Sequence, residues 1–335
     1  MSETSRQNNA QRQDPSPATV RDLKVRQYQA GDLVVRLQCN LDEVHQLAAR
    51  LWHLQIEQKK PNRCHFIEMS IEELAASPSA PLQRKERWQV DLPEIRLQFG
   101  SVLNCRMDLE AGSLKAEICR RWLQDCPLEA SRLFLESPMA TFMSSRGWQV
   151  LHAAALVRPA GAIVVRGANG TGKSTLAAAA WLHGWTLLGD ESVLVHRQDP
   201  SRLCAAVQEL AVRPDIAARL EVQDSGTPFW NGHETKIRLP LKPASEPAAR
   251  QARHLATVLL GDFQSQGRAR LEALQPQEFI SAFSEGAIPQ ENWFGSPEEI
   301  AKEWSERPCY RLNGHQDLAG ALQALSSLCH SSSKR

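Results

Sequence analysis

The stretch GANGTGKST (167–175) constrains this chain more than any other. Gly167, Gly172, Lys173 and Ser174 fit the spacing G-x-x-x-x-G-K-[ST], in which backbone N–H groups wrap phosphate oxygens, the lysine reaches the β/γ oxygens and the hydroxyl ligates Mg²⁺. The expected phosphate site is the whole loop: Gly167, Ala168, Asn169, Gly170, Thr171, Gly172, Lys173, Ser174 and Thr175. Its framing agrees. AIVVR (162–166) is a short β-branched run that reads as a buried strand, and STLAAAAWLHG (174–184) reads as an Ala-rich helix stopped by Gly184. Strand, glycine loop and helix N-terminus bring a positive dipole end and free amides to one point. A chain built on this unit is α/β, with its ligand at the carboxyl edge of an open sheet.

A second signal follows at once. WTLLGDE (185–191) is an apolar strand ending in Asp190-Glu191, and Asp190 comes 17 residues after Lys173. An ABC-type ATPase also closes a strand with Asp-Glu, but there a signature helix and a far longer stretch intervene. The pair here ends the next strand after the loop's helix. A strand–helix–strand crossover within one sheet is parallel, so Asp190 emerges at the edge where the loop lies. Upstream, LHAAALV (151–157) reaches AIVVR through RPAG (158–161) alone. That connection is too short for a parallel crossover, so the two form an antiparallel hairpin with His152 opposite 166–167 at the loop's mouth.

The chain before this unit reads differently. Residues 1–25 form a polar tail, and 26–147 an α+β domain with strand-like runs at 32–39 and 94–109 and a helical run at 41–54. The helical stretch 127–147 is interrupted at Pro138. Residues 148–330 form the nucleotide-binding domain. It continues past Glu191 with a strand at 193–197 and another at 254–261, followed by three helices. One helix opens with a capping box, Ser296 to Glu299, with Pro297 in first position. Between them the Pro- and Ala-rich 240–253 reads as an exposed, mobile connection.

Composition excludes some partners. A net charge of +1 gives no general pull toward nucleic acid or an anionic membrane, and no apolar run approaches a membrane span. The N-terminus lacks a signal-peptide pattern, so the chain reads as intracellular and cytoplasmic. Eight scattered cysteines show no C-x-x-C pair and read as reduced thiols. Homo-oligomerisation stays open.

With these residues in place, the sequence resembles the HPr kinase/phosphorylase family and its related serine kinases. The matching residues are Leu151-His152-Ala153 before the loop strand, Gly167 to Ser174, Leu176 to Gly184, and Asp190-Glu191. The likeness covers roughly 145–215 well and the remainder loosely, including YRLNG (310–314) before a last helix. It implies a P-loop kinase core of the HPr-kinase/PEP-carboxykinase-like type with a mixed sheet, ATP and Mg²⁺ as cofactors, and an unidentified hydroxyl-bearing acceptor. Carried over, Asp190 is the general base, Lys173 serves the transferred phosphoryl group, Ser174 and Glu191 are the metal-side groups, and His152 is an auxiliary proton partner. Two departures matter. The second acid is Glu, and the family's E-I-R-G-L-G signature survives at best as Arg213 within AVRPD (211–215). The resemblance therefore implies a kinase without phosphorylase activity, acting on something other than HPr. Arg213 and Lys236 are candidates to offset transition-state charge. A small-metabolite kinase and a non-catalytic nucleotide-sensing module remain open beside this reading.

Overall fold

The computed structural model describes residues 24–30, 33–54, 66–74, 86–205, 210–230, 234–239, 241, 251–262 and 268–331. They form a mixed α/β structure. Of the expected tail, 1–23 lie outside the described residues, while Lys24 and Val25 already belong to the first strand. Of the connection expected at 240–253, residues 240 and 242–250 lie outside, and 251–253 are strand rather than loop.

The N-terminal part is built on strands β1 (Lys24–Ala30), β2 (Leu33–Cys39), β3 (His53–Leu54), β4 (Phe66–Glu73), β5 (Glu86–Asp91), β6 (Glu94–Phe99), β7 (Leu103–Asp108) and β8 (Ser113–Ile118). They form one sheet in the order β3-β1-β2-β4-β8-β7-β6-β5, parallel at β2–β4 and β4–β8 and antiparallel elsewhere. The period-two pattern decides its inner face. In β2, Leu33, Val35, Leu37 and Cys39 are buried while Arg36 faces out. Helix α1 (Asp42–Leu51) contributes Val44, Leu47, Ala48 and Leu51 to the same core. It stops three residues before the expected end, because His53 and Leu54 leave to pair with β1.

Helix α2 (Arg120–Asp125) leads into the stretch with Pro138, where the outcome differs from the expected break. The chain runs through α3 (Pro127–Ser131), a π-helical turn at Arg132–Glu136 and α4 (Ser137–Ser145) without leaving helix. Proline lacks an N–H and crowds the carbonyl four residues back. The wider turn absorbs both effects: the Ser137 amide donates to the Arg132 carbonyl, five residues back, and the Ser137 hydroxyl donates to it at 3.0 Å.

Strands β9 (Trp148–Leu151), β10 (Ala154–Arg158), β11 (Gly161–Arg166), β12 (Thr186–Gly189), β13 (Val193–His196) and β14 (Asp199–Cys204) follow, with α5 (Lys173–Leu182) after the glycine loop. Here the expected strand 151–157 is divided. Leu151 ends β9, which pairs with β13, and Ala154 starts β10, which pairs with β11. His152 and Ala153 are the corner. The hairpin itself is as expected, with Arg158 opposite Gly161 and Ala154 opposite Val165. β12 runs parallel to β11 in direction, but β10 lies between them.

A small sheet comprises β15 (Ala211–Val212), β16 (Thr227–Trp230) and β17 (Thr235–Arg238), with α6 (Pro214–Arg219) beside it. The long β18 (Gln251–Leu260) then joins everything: its start pairs with β14, and the rest is parallel to β11 and to β20 (Cys309–Asn313), which also carries β19 (Arg270–Ala273). Three helices follow β18, α7 (Pro276–Phe283), α8 (Pro297–Trp304) and α9 (Leu318–Ser331). The cap of α8 is one residue tighter than expected, since the Ser296 hydroxyl accepts from the Glu298 amide at 3.2 Å.

Both faces of the central strands are covered, so they are apolar throughout. Ala154, Leu156, Ile163 and Val165 pack toward α5 and α9, while Ala155, Ala162 and Val164 pack toward Phe279, Phe283 and Trp304 of α7 and α8. The core of the N-terminal sheet extends past residue 147 to Trp148, Val150, Leu194 and Cys204. All seven cysteines among the described residues are free thiols. No helix among them is long and apolar enough to cross a membrane.

Candidate functional site

The glycine loop closes the carboxyl end of β11 and opens α5. Gly170 and Gly172 have φ of 82° and 101°, a left-handed backbone that only glycine adopts freely. Lys173, the first residue of α5, is buried, and its ammonium donates to the Gly167 and Ala168 carbonyls at 2.8 and 3.1 Å. The Thr171 hydroxyl donates to Ala168 O at 2.8 Å, and Nε2 of buried His315, from the segment before α9, meets Thr171 O at 2.6 Å. Burial pulls the Lys173 ammonium below its ordinary value, with Glu191 and Asp190 acting in the opposite direction.

Asp190 stands at the end of β12 and is 3% exposed, with neither carboxylate oxygen hydrogen-bonded. Burial first, and then the charge of Glu191, raise its pKa to about 7. The Ser174 hydroxyl and the Ala211 backbone lie near enough to pull the value back, though neither makes a well-formed hydrogen bond to it.

Glu191 has the opposite surroundings. Its side chain is 55% exposed; Oε1 lies 3.1 Å from Lys236 Nζ on β17, and Oε2 lies 3.8 Å from His152 Nδ1. Burial of its inner part acts to raise the carboxyl, but Lys236 and His152 outweigh it and leave it below the ordinary range. His152 is held on three sides: Nδ1 is 3.0 Å from the Glu191 carbonyl, Nε2 is 3.0 Å from Asn169 Oδ1, and its amide donates to Glu291 Oε1 at 2.7 Å. Burial, then the Lys173 charge, depress its basicity, while Glu191 supports it. The ring thus links the loop to the acidic pair.

His152, Asn169, Lys173, Ser174, Asp190, Glu191 and Lys236 are therefore one connected group. Arg213 differs: its guanidinium is paired with Asp215 at 2.6 Å and largely exposed. Three participants carry no sequence signal. Arg166, the residue before the loop, forms an ion pair at 2.8 Å with Glu291, and both are 0% exposed. Gly286 packs so closely that a Cβ there would lie 2.5 Å from the Gly167 carbonyl. Contacts across such sequence separations have no periodicity to betray them; only the Gly and Pro in EGAIPQEN (285–292) mark a turn.

Compared with family models and with curated proteins, the sequence matches no family model and no curated protein.

Proposed function

We propose that this chain is an ATP-dependent kinase with a P-loop core of the HPr-kinase-like type, transferring the γ-phosphoryl group to a hydroxyl of a peptide, protein or small molecule, serine foremost. The observation that carries the reading is Asp190, a buried carboxylate with no hydrogen-bonding partner and a proton affinity near neutrality, next to a glycine loop and its lysine. A structural carboxylate in that position would be paired.

The residues fit the groups the reading requires. The loop's two left-handed glycines and the N-terminus of α5 suit a triphosphate. Mg²⁺ in nucleotide sites is held by one or two protein oxygens and by phosphates and water. Ser174 and Glu191 are the chain's groups for it, and no group of three or more His, Cys, Asp or Glu gathers as a separate cage among the described residues. When bound, the ion offsets charge on the β- and γ-phosphates.

The chain's own part follows from electrostatics. Lys236 and His152 keep Glu191 ionised, so the shared proton of the acidic pair resides on Asp190 near neutral pH. Once ionised, Asp190 takes the proton from the acceptor hydroxyl as its oxygen forms the new bond to phosphorus. The bond to the bridging β–γ oxygen breaks, and that oxygen keeps the electron pair. Lys173 neutralises charge on the transferred group. The altered acid pair, with Glu191 tied to Lys236, favours a second reading: a nucleotide-sensing module that does not transfer phosphate.

Single-turnover reactions with γ-labelled ATP and Mg²⁺, offered serine peptides and small hydroxyl compounds, separate the two. Label moving onto an acceptor supports the kinase. Nucleotide binding with no transfer to any acceptor and no hydrolysis supports the module.

A further inference from the structure

Glu291 occupies a 3₁₀ turn (Pro289–Asn292) between α7 and α8 and is wholly buried. Its carboxylate accepts three hydrogen bonds from two distant elements: Arg166 Nη1 at 3.2 Å, Arg166 Nη2 at 2.8 Å and the His152 amide at 2.7 Å. Its carbonyl accepts a fourth, from Gln149 Nε2 at 2.6 Å. Arg166 is equally committed. Its Nε donates to the Phe283 carbonyl at 2.6 Å, and its guanidinium lies 4.4 Å over the Phe283 ring.

These ties converge on the loop from behind. Arg166 is the last residue of β11, and the next residue is Gly167. His152, whose main chain Glu291 grips, reaches the loop's third residue through Asn169. The same segment also touches the loop backbone, where a Cβ on Gly286 (φ 79°) would meet Gly167 O at 2.5 Å and Ala168 N at 2.8 Å. Stability does not account for this. A buried ion pair costs about as much in desolvation as it returns, and apolar side chains of similar volume commonly do as well or better.

We propose that Glu291 is a positioning residue of the nucleotide site, fixing the entry of the glycine loop through Arg166 and the main chain of the catalytic-side histidine through its amide. The inference rests on the nucleotide-site reading. Glu291 touches neither phosphate nor acceptor in this account; it acts on groups that do.

The test compares Glu291→Gln with the double variant Arg166→Met/Glu291→Leu in the full-length chain. Glu291→Gln leaves a buried guanidinium short of its counter-charge, so a loss of fold in this variant reports that cost alone. The double variant replaces the pair by apolar groups. Three quantities are read: thermal midpoint, amide exchange across 167–172, and the ATP·Mg²⁺ dissociation constant. The expected result for the double variant is a near wild-type midpoint with loop amides exchanging about tenfold faster. ATP should bind about ten- to a hundredfold more weakly, the range found when a residue that orients metal-ligating groups is removed. Wild-type exchange and affinity in a folded double variant would overturn the proposal. So would loss of its fold, because the pair would then be a requirement of folding. Wild-type protein that binds no ATP overturns the nucleotide-site reading instead, and the exchange comparison still decides the role of Glu291.

Discussion

Lys236 lies 3.1 Å from the Glu191 carboxylate, while Asp190, one residue earlier, meets no hydrogen-bonding partner. Adjacent acids in opposite settings titrate apart: Lys236 holds Glu191 ionised, and that charge, after burial, holds the proton on Asp190. Transfer should rise with pH as Asp190 ionises. Glu191→Gln removes the like charge and should move that rise to lower pH. Lys236→Met removes a cation that favours the ionised form of Asp190 and should move it higher. The pH–rate profiles of the two variants, measured at saturating ATP and Mg²⁺, should bracket the wild type, and shifts in the same direction would refute this coupling.

The same burial has a consequence for stability. The folded value for Asp190 is raised from 3.8 to about 7, so its contribution is fully present below 3.8 and is lost as pH rises through about 7. Asp190→Asn removes the cost of an ionised buried carboxylate. Its thermal midpoint, measured without nucleotide, should exceed that of the wild type at pH 8, and the gain should shrink at pH 5. A gain independent of pH would mean that Asp190 is not strained by ionisation.

Lys173→Ala should leave the fold intact and weaken ATP binding by about 10- to 100-fold, the range for losing a hydrogen bond to a charged group. Calorimetric titration in the presence of Mg²⁺ checks it. Equal affinity in the two proteins would remove the loop from the account.

A fourth prediction concerns the other side of the sheet. His254 stacks on Trp304 with centroids 4.0 Å apart and rings 5° from parallel, and its Nε2 is 2.8 Å from the Thr257 hydroxyl. Burial, then Arg307, lower its pKa to about 3, so the stability it contributes is present above 6.5 and is lost as pH falls toward about 3. The thermal midpoint of His254→Gln should start lower but fall less steeply than that of the wild type across this window. Parallel slopes would contradict the assignment.

The local part of this site is legible in the sequence because its chemistry is local. A glycine loop between a β-branched run and an Ala-rich helix, a hairpin forced by four connecting residues and an acid ending the next strand are all short-range statements. They bring His152, the loop and Asp190 to one edge, and in the structure His152 meets Asn169 at 3.0 Å. The corner at His152 was not legible, because the apolar residues on both sides of the histidine read as one strand and hide a change of partner strand from β13 to β11. Pro138 misleads for a different reason: the proline rule assumes α-geometry, and a π-turn escapes it. Arg166 and Glu291 are invisible from either neighbourhood, since each is an ordinary charged residue until the fold brings them to 2.8 Å.

The central claim, that Asp190 is the base in a phosphoryl transfer, is tested most directly by Asp190→Asn at saturating ATP and Mg²⁺. The substitution keeps the side chain's shape and removes no phosphate contact, so ATP affinity should stay near the wild-type value. Transfer of γ-label to an acceptor hydroxyl should fall by about 10²–10⁴-fold, the range for losing a positioned acid or base. His152→Ala, which removes only an auxiliary partner, should fall less. Near wild-type transfer in Asp190→Asn would contradict the account, and a higher Mg²⁺ requirement with an unchanged maximal rate would reassign Asp190, with Ser174, to the metal.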